Sequence, residues 1–483
     1  MRILFLVHVL GRTRHFKNVI SGLVDRGHTI ILAPASTAEQ EKPRKGLYDH
    51  ERVELAACPT RRQDRWAPVM EPIRRSRDHL RFFDPRYSHA VKLAERASES
   101  APQTWKDALA RHPWMTRHWK TVQRALGLAE AVVPCDPEIQ KFVEAQKPDM
   151  VLVTPLVEFG SYQTEYVKCA HRIGVPVLYL PFSWDNLTNR GLIRVAPDRT
   201  LVWNAHQRRE AIEFHGVPPE SIVVTGAPRF DEFFEMAPSS ERRAFCEALG
   251  LDPGRPLLLY LCSSGFVAPR EPDFVRTWVG EVRRLGRGTW LEDCSILVRP
   301  HPAFLDDWTR TDVALPGVAV WSQKSSMNAD QRLFDSLFHA AAVVGLNTSA
   351  MIEAAIVGRP VYTIATPEYS GGQEATFHWW YLLVDQGGVV QPSESFSDHV
   401  RQLVAAPSQQ TEIEERSRRF LEAFVRPRGF AQPASAVMIE EIEDAAAIRK
   451  QPRAAPAWHA PVRLGLDLLL RAGAERLFVK RSA

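Results

Sequence analysis

Three short segments of this 483-residue chain gather side chains suited to holding phosphate. Arg299-Pro300-His301-Pro302 directly follows an apolar run ending at Val298. The planar fork of Arg299 can grip a phosphoryl group, and His301 can donate a hydrogen bond to one of its oxygens. A stiff turn is the alternative, and the place at a strand's C-terminal end favours function. Gly345-Leu346-Asn347-Thr348-Ser349-Ala350 leads into a helix starting near Met351. Thr348 or Ser349 caps that helix, and the hydroxyls beside its first amides suit a diphosphate. Ordinary capping accounts for the same residues. Glu353, one turn in, is either an acceptor for ribose hydroxyls or a surface carboxylate. Cys262-Ser263-Ser264-Gly265 is a small-residue loop that suits phosphate or sugar. Ser370-Gly371-Gly372 permits close backbone approach to a ligand.

The first half of the chain carries a different mixture. Phe182-Ser183-Trp184-Asp185-Asn186-Leu187-Thr188-Asn189-Arg190-Gly191 combines an aromatic face with amides, hydroxyls and a carboxylate. That suits sugar recognition, with stacking on Trp184 and polar contacts at Asn186 and Thr188. An inverting transfer also needs a general base near the acceptor hydroxyl. Glu158, Asp185 and His15 are the candidates, and the sequence does not rank them.

These segments matter because of what precedes them. In open α/β sheets, ligands bind beyond the carboxyl ends of the strands. Ile3–Val7, Thr29–Ala33, Met150–Thr154, Val175–Leu180, Thr200–Trp203 and Ile222–Thr225 read as buried strands, with helices between. Pro256–Leu261, Ser295–Arg299, Val318–Trp321, Ala342–Gly345 and Pro360–Thr363 repeat the rhythm. Two successive doubly wound halves predict an α/β protein with two Rossmann-like domains facing a cleft. The expected domains are 1–228, with a helical insertion at about 60–145, and 229–445. Residues 446–483 read as a linker and an amphipathic tail helix.

Composition narrows the function. A net charge of +4 spread over 483 residues does not point to nucleic acid as a partner. The six cysteines show no metal-ligand spacing, which fits reduced thiols in the cytoplasm. No run reaches the length of a membrane span. Two segments suggest peripheral contact with the inner membrane face. One is the arginine-rich stretch 61–86, which reads equally as a solvated surface. The other is 462–480, whose apolar stripe and basic flank fit either an interfacial helix or one packed on protein.

Taken together, the first strand-loop-helix, Trp184-Asp185-Asn186-Leu187-Thr188, Gly226-Ala227-Pro228-Arg229-Phe230-Asp231, Arg299-Pro300-His301-Pro302, and Asn347-Thr348-Ser349 with Gly358-Arg359-Pro360-Val361 resemble bacterial GT-B proteins of surface-carbohydrate synthesis. The second half is similar to the CDP-glycerol glycerophosphotransferase, capsular Kdo-transferase and UDP-GlcNAc 2-epimerase clans. The resemblance covers about 1–35 and 148–430. It implies a glycosyltransferase or glycerophosphotransferase that moves a group from a nucleotide-sugar or CDP-polyol donor onto a glycan or glycolipid acceptor. It implies donor phosphates on His301, Thr348 and Ser349 with Arg299 beside them, and transfer with no bound metal and no cofactor. The alternatives are an epimerase-like enzyme and a catalytically inactive scaffold. The first loop departs from the glycine-rich pattern, since Gly11-Arg12-Thr13-Arg14-His15 has one glycine. Either its arginines meet an acceptor group or the donor lies wholly in the second half.

Overall fold

Apolar runs bounded by turn residues become parallel strands, as expected for sheets covered on both faces. A computed structural model describes residues 1–35, 49–302, 305, 308, 315–321, 328–448 and 452–471. The first sheet has seven strands: β1 (Arg2–Val7), β2 (Thr29–Pro34), β3 (Val53–Leu55), β4 (Met150–Thr154), β5 (Val177–Tyr179), β6 (Arg199–Val202) and β7 (Ile222–Val224). Their order is β3-β2-β1-β4-β5-β6-β7, every pair parallel. The second sheet has six: β8 (Leu257–Leu261), β9 (Ser295–Arg299), β10 (Val318–Val320), β11 (Ala342–Gly345), β12 (Val361–Ile364) and β13 (Val390–Ser393). Its order is β10-β9-β8-β11-β12-β13, again parallel throughout. The strand order reverses between β1 and β4 in the first sheet and between β8 and β11 in the second. Those are the two crevices where a doubly wound sheet accepts a ligand.

Strand alternation divides the first core in two. Leu4, Leu6, Val151 and Val153 pack with Tyr166, Val167 and Ala170 on one face. Ile3, Phe5, Met150 and Leu152 pack on the other with Val19, Ile20 and Leu23, and with Met438, Ile439 and Ile442 from the far end of the chain. Each such buried aliphatic side chain contributes about 1.5–3 kcal/mol, which explains why the chain comes back. Met1–Arg229 and the chain from Phe424 onward form one unit, and Phe230–Ala423 forms the other. The second domain expected over 229–445 therefore stops at Ala423, and the helix Ala434–Ala445 completes the first unit's helix layer. The return is fastened at Gly226, which sits at φ 96°. A Cβ there would lie 2.8 Å from the Val425 carbonyl oxygen and from the Ala434 Cβ, and Ala227 N–H donates to that same Val425 carbonyl.

The insertion is helical, with α1 (Ala67–Arg81) packed against α2 (Trp119–Val132). Four of the eight arginines in 61–86 turn inward, while Arg61, Arg65 and Arg86 stay exposed. Arg74 donates to Glu130 at 2.7 Å and pairs with Glu165, while Arg62 pairs with Asp64 and Glu165. Arg77 reaches Glu130, and Arg81 donates to the carbonyls of Leu187, Arg190 and Gly191. Arg74 and Arg81 are buried. The charge of Arg62, Arg74 and Arg77 is met inside the protein, largely by acids far along the chain, at 130 and 165.

The tail forms the helix His459–Arg471, the rest of 462–480 lying outside the described residues. Leu466 packs on the cluster of Trp66, Val69, Met70 and Ile73, Asp467 pairs with Arg65 at 3.0 Å, and Arg463 donates to the Val132 carbonyl. Leu464 and Leu468 remain exposed on its outer side. No described helix is long and apolar enough to cross a membrane. All six cysteines are free thiols, five of them buried.

Candidate functional site

At the β1–β4 crevice, the loop after β1 turns into a 3-10 segment, Leu10–Phe16, that carries Arg12 and His15. The loop after β4 holds Leu156 in the left-handed region, φ 55°, a conformation that non-glycine residues adopt only where the surroundings enforce it. Gln163 enforces it by accepting from Leu156 N–H at 2.7 Å. Glu158 follows, and its two oxygens are divided between Arg12 at 2.8 Å and Arg190 at 2.6 Å. Both guanidiniums lie over the Phe182 ring, 4.7 and 5.6 Å from its centroid, and the His15 ring lies 5.3 Å from it.

Charge sets the protonation of this cluster. Burial raises the Glu158 carboxyl, but Arg190 and Arg12 more than offset this and leave it below the usual carboxylate range. Burial, then Arg14, Arg229 and Arg12, push His15 down to about 3. His8 is lowered by burial and Arg12, with Glu158 pulling the other way. Arg96 belongs to the same field, lowered by burial and Arg190 and raised by Glu158 and Asp185. Glu158 and His8 also line a cavity of about 400 Å³ together with Arg61, Arg75, Ser161 and Tyr162.

These facts redistribute the sequence candidates. Glu158 is clamped by two cations and is a weak base. Asp185 accepts from Asn189 Nδ2 at 2.5 Å and holds the short helix Asn186–Asn189. His15 is too strongly depressed to match a base working near neutral pH. The sugar contacts expected at Trp184, Asn186 and Thr188 are corrected, because all three side chains are buried and engaged internally. Trp184 meets Phe424 edge-on at 6.2 Å, Asn186 Oδ1 accepts from the amides of Phe182 and Ser183, and the Thr188 hydroxyl donates to the Asp185 carbonyl. His8 is not among the candidates that the sequence offered. Its place one residue beyond β1 was the signal that should have found it.

At the β8–β11 crevice the loops are bolted to each other. Glu271, at the start of α3 (Glu271–Leu285), accepts from Ser263 N–H at 2.8 Å and faces the Tyr260 hydroxyl at 3.0 Å. Burial raises Glu271 to about 8, against the pull of Ser263 and Tyr260. Ser263 Oγ accepts from Asn347 N–H, and Asn347 Nδ2 donates to the Gly372 carbonyl at 2.7 Å. Gly372 is small for that reason, since a Cβ would meet the Val267 carbonyl oxygen at 2.5 Å. Ser263, Asn347 and Gly372 are thus framework. Ser264 and Thr348 are partly exposed, and Ser349 is exposed and makes no cap hydrogen bond. Thr348 Oγ1 reaches Ala350 N–H only at 3.5 Å. Glu353 is buried, so the surface-carboxylate alternative falls.

Arg299 ends β9 with one nitrogen, Nη1, donating to the Arg332 carbonyl at 2.7 Å and to Ser336 at 3.0 Å, its guanidinium over Trp321. Burial and Arg332 lower it to about 10. It anchors the helix Ala329–His339, and His301 stands two residues beyond it, partly exposed. Among the described residues no group of three or more His, Cys, Asp or Glu side chains is placed to hold a metal ion.

No protein-family model matches the chain, and no curated protein does. Solved structures do. A glycosyltransferase from Rickettsia africae matches with TM-score 0.51 at 10% identity, over 93% of this chain and 99% of its own. A Listeria monocytogenes protein assigned as a UDP-N-acetylglucosamine 2-epimerase gives TM-score 0.50 at 10% identity, over 94% and 98%. The fold is GT-B. Both units of this GT-B chain thus carry polar side chains at the crevice where their strand order reverses, and the two sets differ in chemistry.

Proposed function

We propose that the chain transfers a sugar or polyol phosphate from a nucleotide-activated donor to a glycan or glycolipid precursor of the cell surface. The donor lies on the second unit and the acceptor on the first. The observation that supports this is the contrast between the two crevices. Hydroxyls, an imidazole and a buried carboxyl follow β8, β9 and β11, whereas imidazoles and Arg12 follow β1, Arg190 follows β5, and both arginines clamp Glu158 in the loop after β4. Ser264, His301, Thr348 and Ser349 donate to the diphosphate. These donors meet the charge of the leaving diphosphate, so no metal or cofactor takes part. His8 is the base. It borders the cavity, burial and Arg12 keep its imidazole neutral, and Glu158 pulls the other way and favours its taking up a proton.

A thermal-shift series with CMP, CDP, UDP, GDP and ADP, with and without EDTA, tests the donor half. At about 100 times its dissociation constant the right nucleotide adds about 2.7 kcal/mol, and the shift should survive EDTA. His301→Ala should weaken that shift. His8→Ala should keep it while slowing transfer by about 10²–10⁴-fold. An unchanged rate would remove His8 from the reaction. The likeness to the Listeria protein keeps an epimerase in view. Conversion of a nucleotide sugar without acceptor would establish that reading in place of transfer.

A lipid-linked acceptor brings the protein to the inner membrane face, and the exposed Leu464 and Leu468 with Trp458 are the contact. Leu464→Glu with Leu468→Glu should reduce co-sedimentation with phosphatidylglycerol vesicles. Equal sedimentation would leave the tail as a packed helix only.

A further inference from the structure

We propose that Arg12, Arg190 and His15 form an oxyanion site within the first unit, taking a phosphate or carboxylate group carried by the acceptor. The assignment rests on the reading of that unit as the acceptor domain.

Three buried polar atoms here have no hydrogen-bond partner: Arg12 Nη1, Arg190 Nε and His15 Nδ1. Buried polar groups in folded proteins are nearly always satisfied, so three orphans around one feature call for a ligand. The shared feature is Phe182, with both guanidiniums over its ring and the imidazole against it. Stacking on an aromatic face fixes the planes of the guanidiniums and leaves their edges to recognise an anion. Glu158 accepts from Arg12 Nη2 and Arg190 Nη1 and so occupies one nitrogen of each. It leaves the orphaned nitrogens to a second acceptor.

Charge points the same way. Arg96 and Arg190 share the field of Glu158, Asp185 and Glu99, Arg12 pairs with Glu158, and Arg14 and Arg229 add positive charge at His15. Cations exceed anions, and an incoming oxyanion restores balance. The ligand is larger than a bare ion. Glu158 also lines the 400 Å³ cavity, where the Tyr162 hydroxyl is a further buried atom without a partner. A cavity of that size, lined by Ser161, Tyr162 and His8, suits a polyhydroxyl body attached to the anionic group.

Calorimetric titration of the full chain with inorganic phosphate, and with glucose 6-phosphate against glucose, tests the site. Both phosphates should bind and glucose should not. Arg12→Gln and Arg190→Gln should each weaken phosphate binding about tenfold, the loss of one charge-assisted hydrogen bond. Glu158→Gln should tighten it, because the competing carboxylate is gone. That variant keeps the test decisive if an arginine variant fails to fold, since a purely structural cluster predicts unchanged or weaker binding. Repeating the titration with saturating UDP separates the two sources of an oxyanion. Retained phosphate binding supports the acceptor, and abolished binding assigns the oxyanion to the donor and overturns the proposal. Binding that is absent, or untouched in both arginine variants, overturns it as well.

Discussion

Arg194→Ala is expected to destabilise the first unit by about 3–5 kcal/mol, the cost of leaving a buried charge without its partner. Arg194 and Asp78 are both fully buried and paired. Arg194 also donates to the carbonyls of Leu192 and Arg74. Asp78 accepts from Gly160 N–H at 2.8 Å and Leu192 N–H at 2.9 Å. One carboxylate therefore ties the insertion helix to the loop after β4 and to the segment carrying Arg190. Burial alone raises Asp78 and lowers Arg194, each towards its neutral form, so either charge stranded by itself is costly. Denaturant unfolding with a probe in each unit checks this. The first unit's transition should move to lower denaturant and the second unit's should stay. A loss below about 1 kcal/mol would show that the network only shapes the loops.

Glu271→Gln should do the opposite in the second unit. The Glu271 carboxyl is raised to about 8 by burial, whereas an unfolded chain ionises it near 4.3. Between those values the folded state holds a proton that the unfolded state has released. Stability therefore falls as pH rises from about 4.3 to about 8, then levels. The amide keeps a carbonyl for Ser263 N–H, and its NH₂ group donates to the Tyr260 hydroxyl, which turns from donor to acceptor, without the ionisation. The variant should gain about 3–5 kcal/mol at pH 8 and lose most of that slope, while matching the parent at pH 4. Parallel stability–pH curves for the two proteins would disprove the assignment.

Much of the architecture was legible because parallel strands are apolar on both faces. β4, β9 and β11 begin and end where the sequence placed them. β3 and β13 were not legible, being short edge strands with polar residues such as Glu54 and Gln391. The rule that ligands sit beyond strand ends singles out loops but does not say which of their side chains face outward. Trp184 and Asn186 look like ligand contacts by type and are interior by position. Arg62, Arg74 and Arg77 look like a surface charge run because their acids, Glu130 and Glu165, come much later in the chain. The Arg12–Glu158–Arg190 cluster has the same character, since its members come from three separate loops.

The return of the chain to its first unit also fixes an order of events during synthesis. Phe230–Ala423 is continuous, so the second unit is complete as soon as its last helix leaves the ribosome. The first unit begins earlier but must wait, with one face of β1 and β4 covered only in part by Val19, Ile20 and Leu23, until Met438, Ile439 and Ile442 emerge. The half of the protein that is made first is thus the half that finishes folding last. Until then the apolar surface on that face, which the returning helix will bury, stays open to solvent.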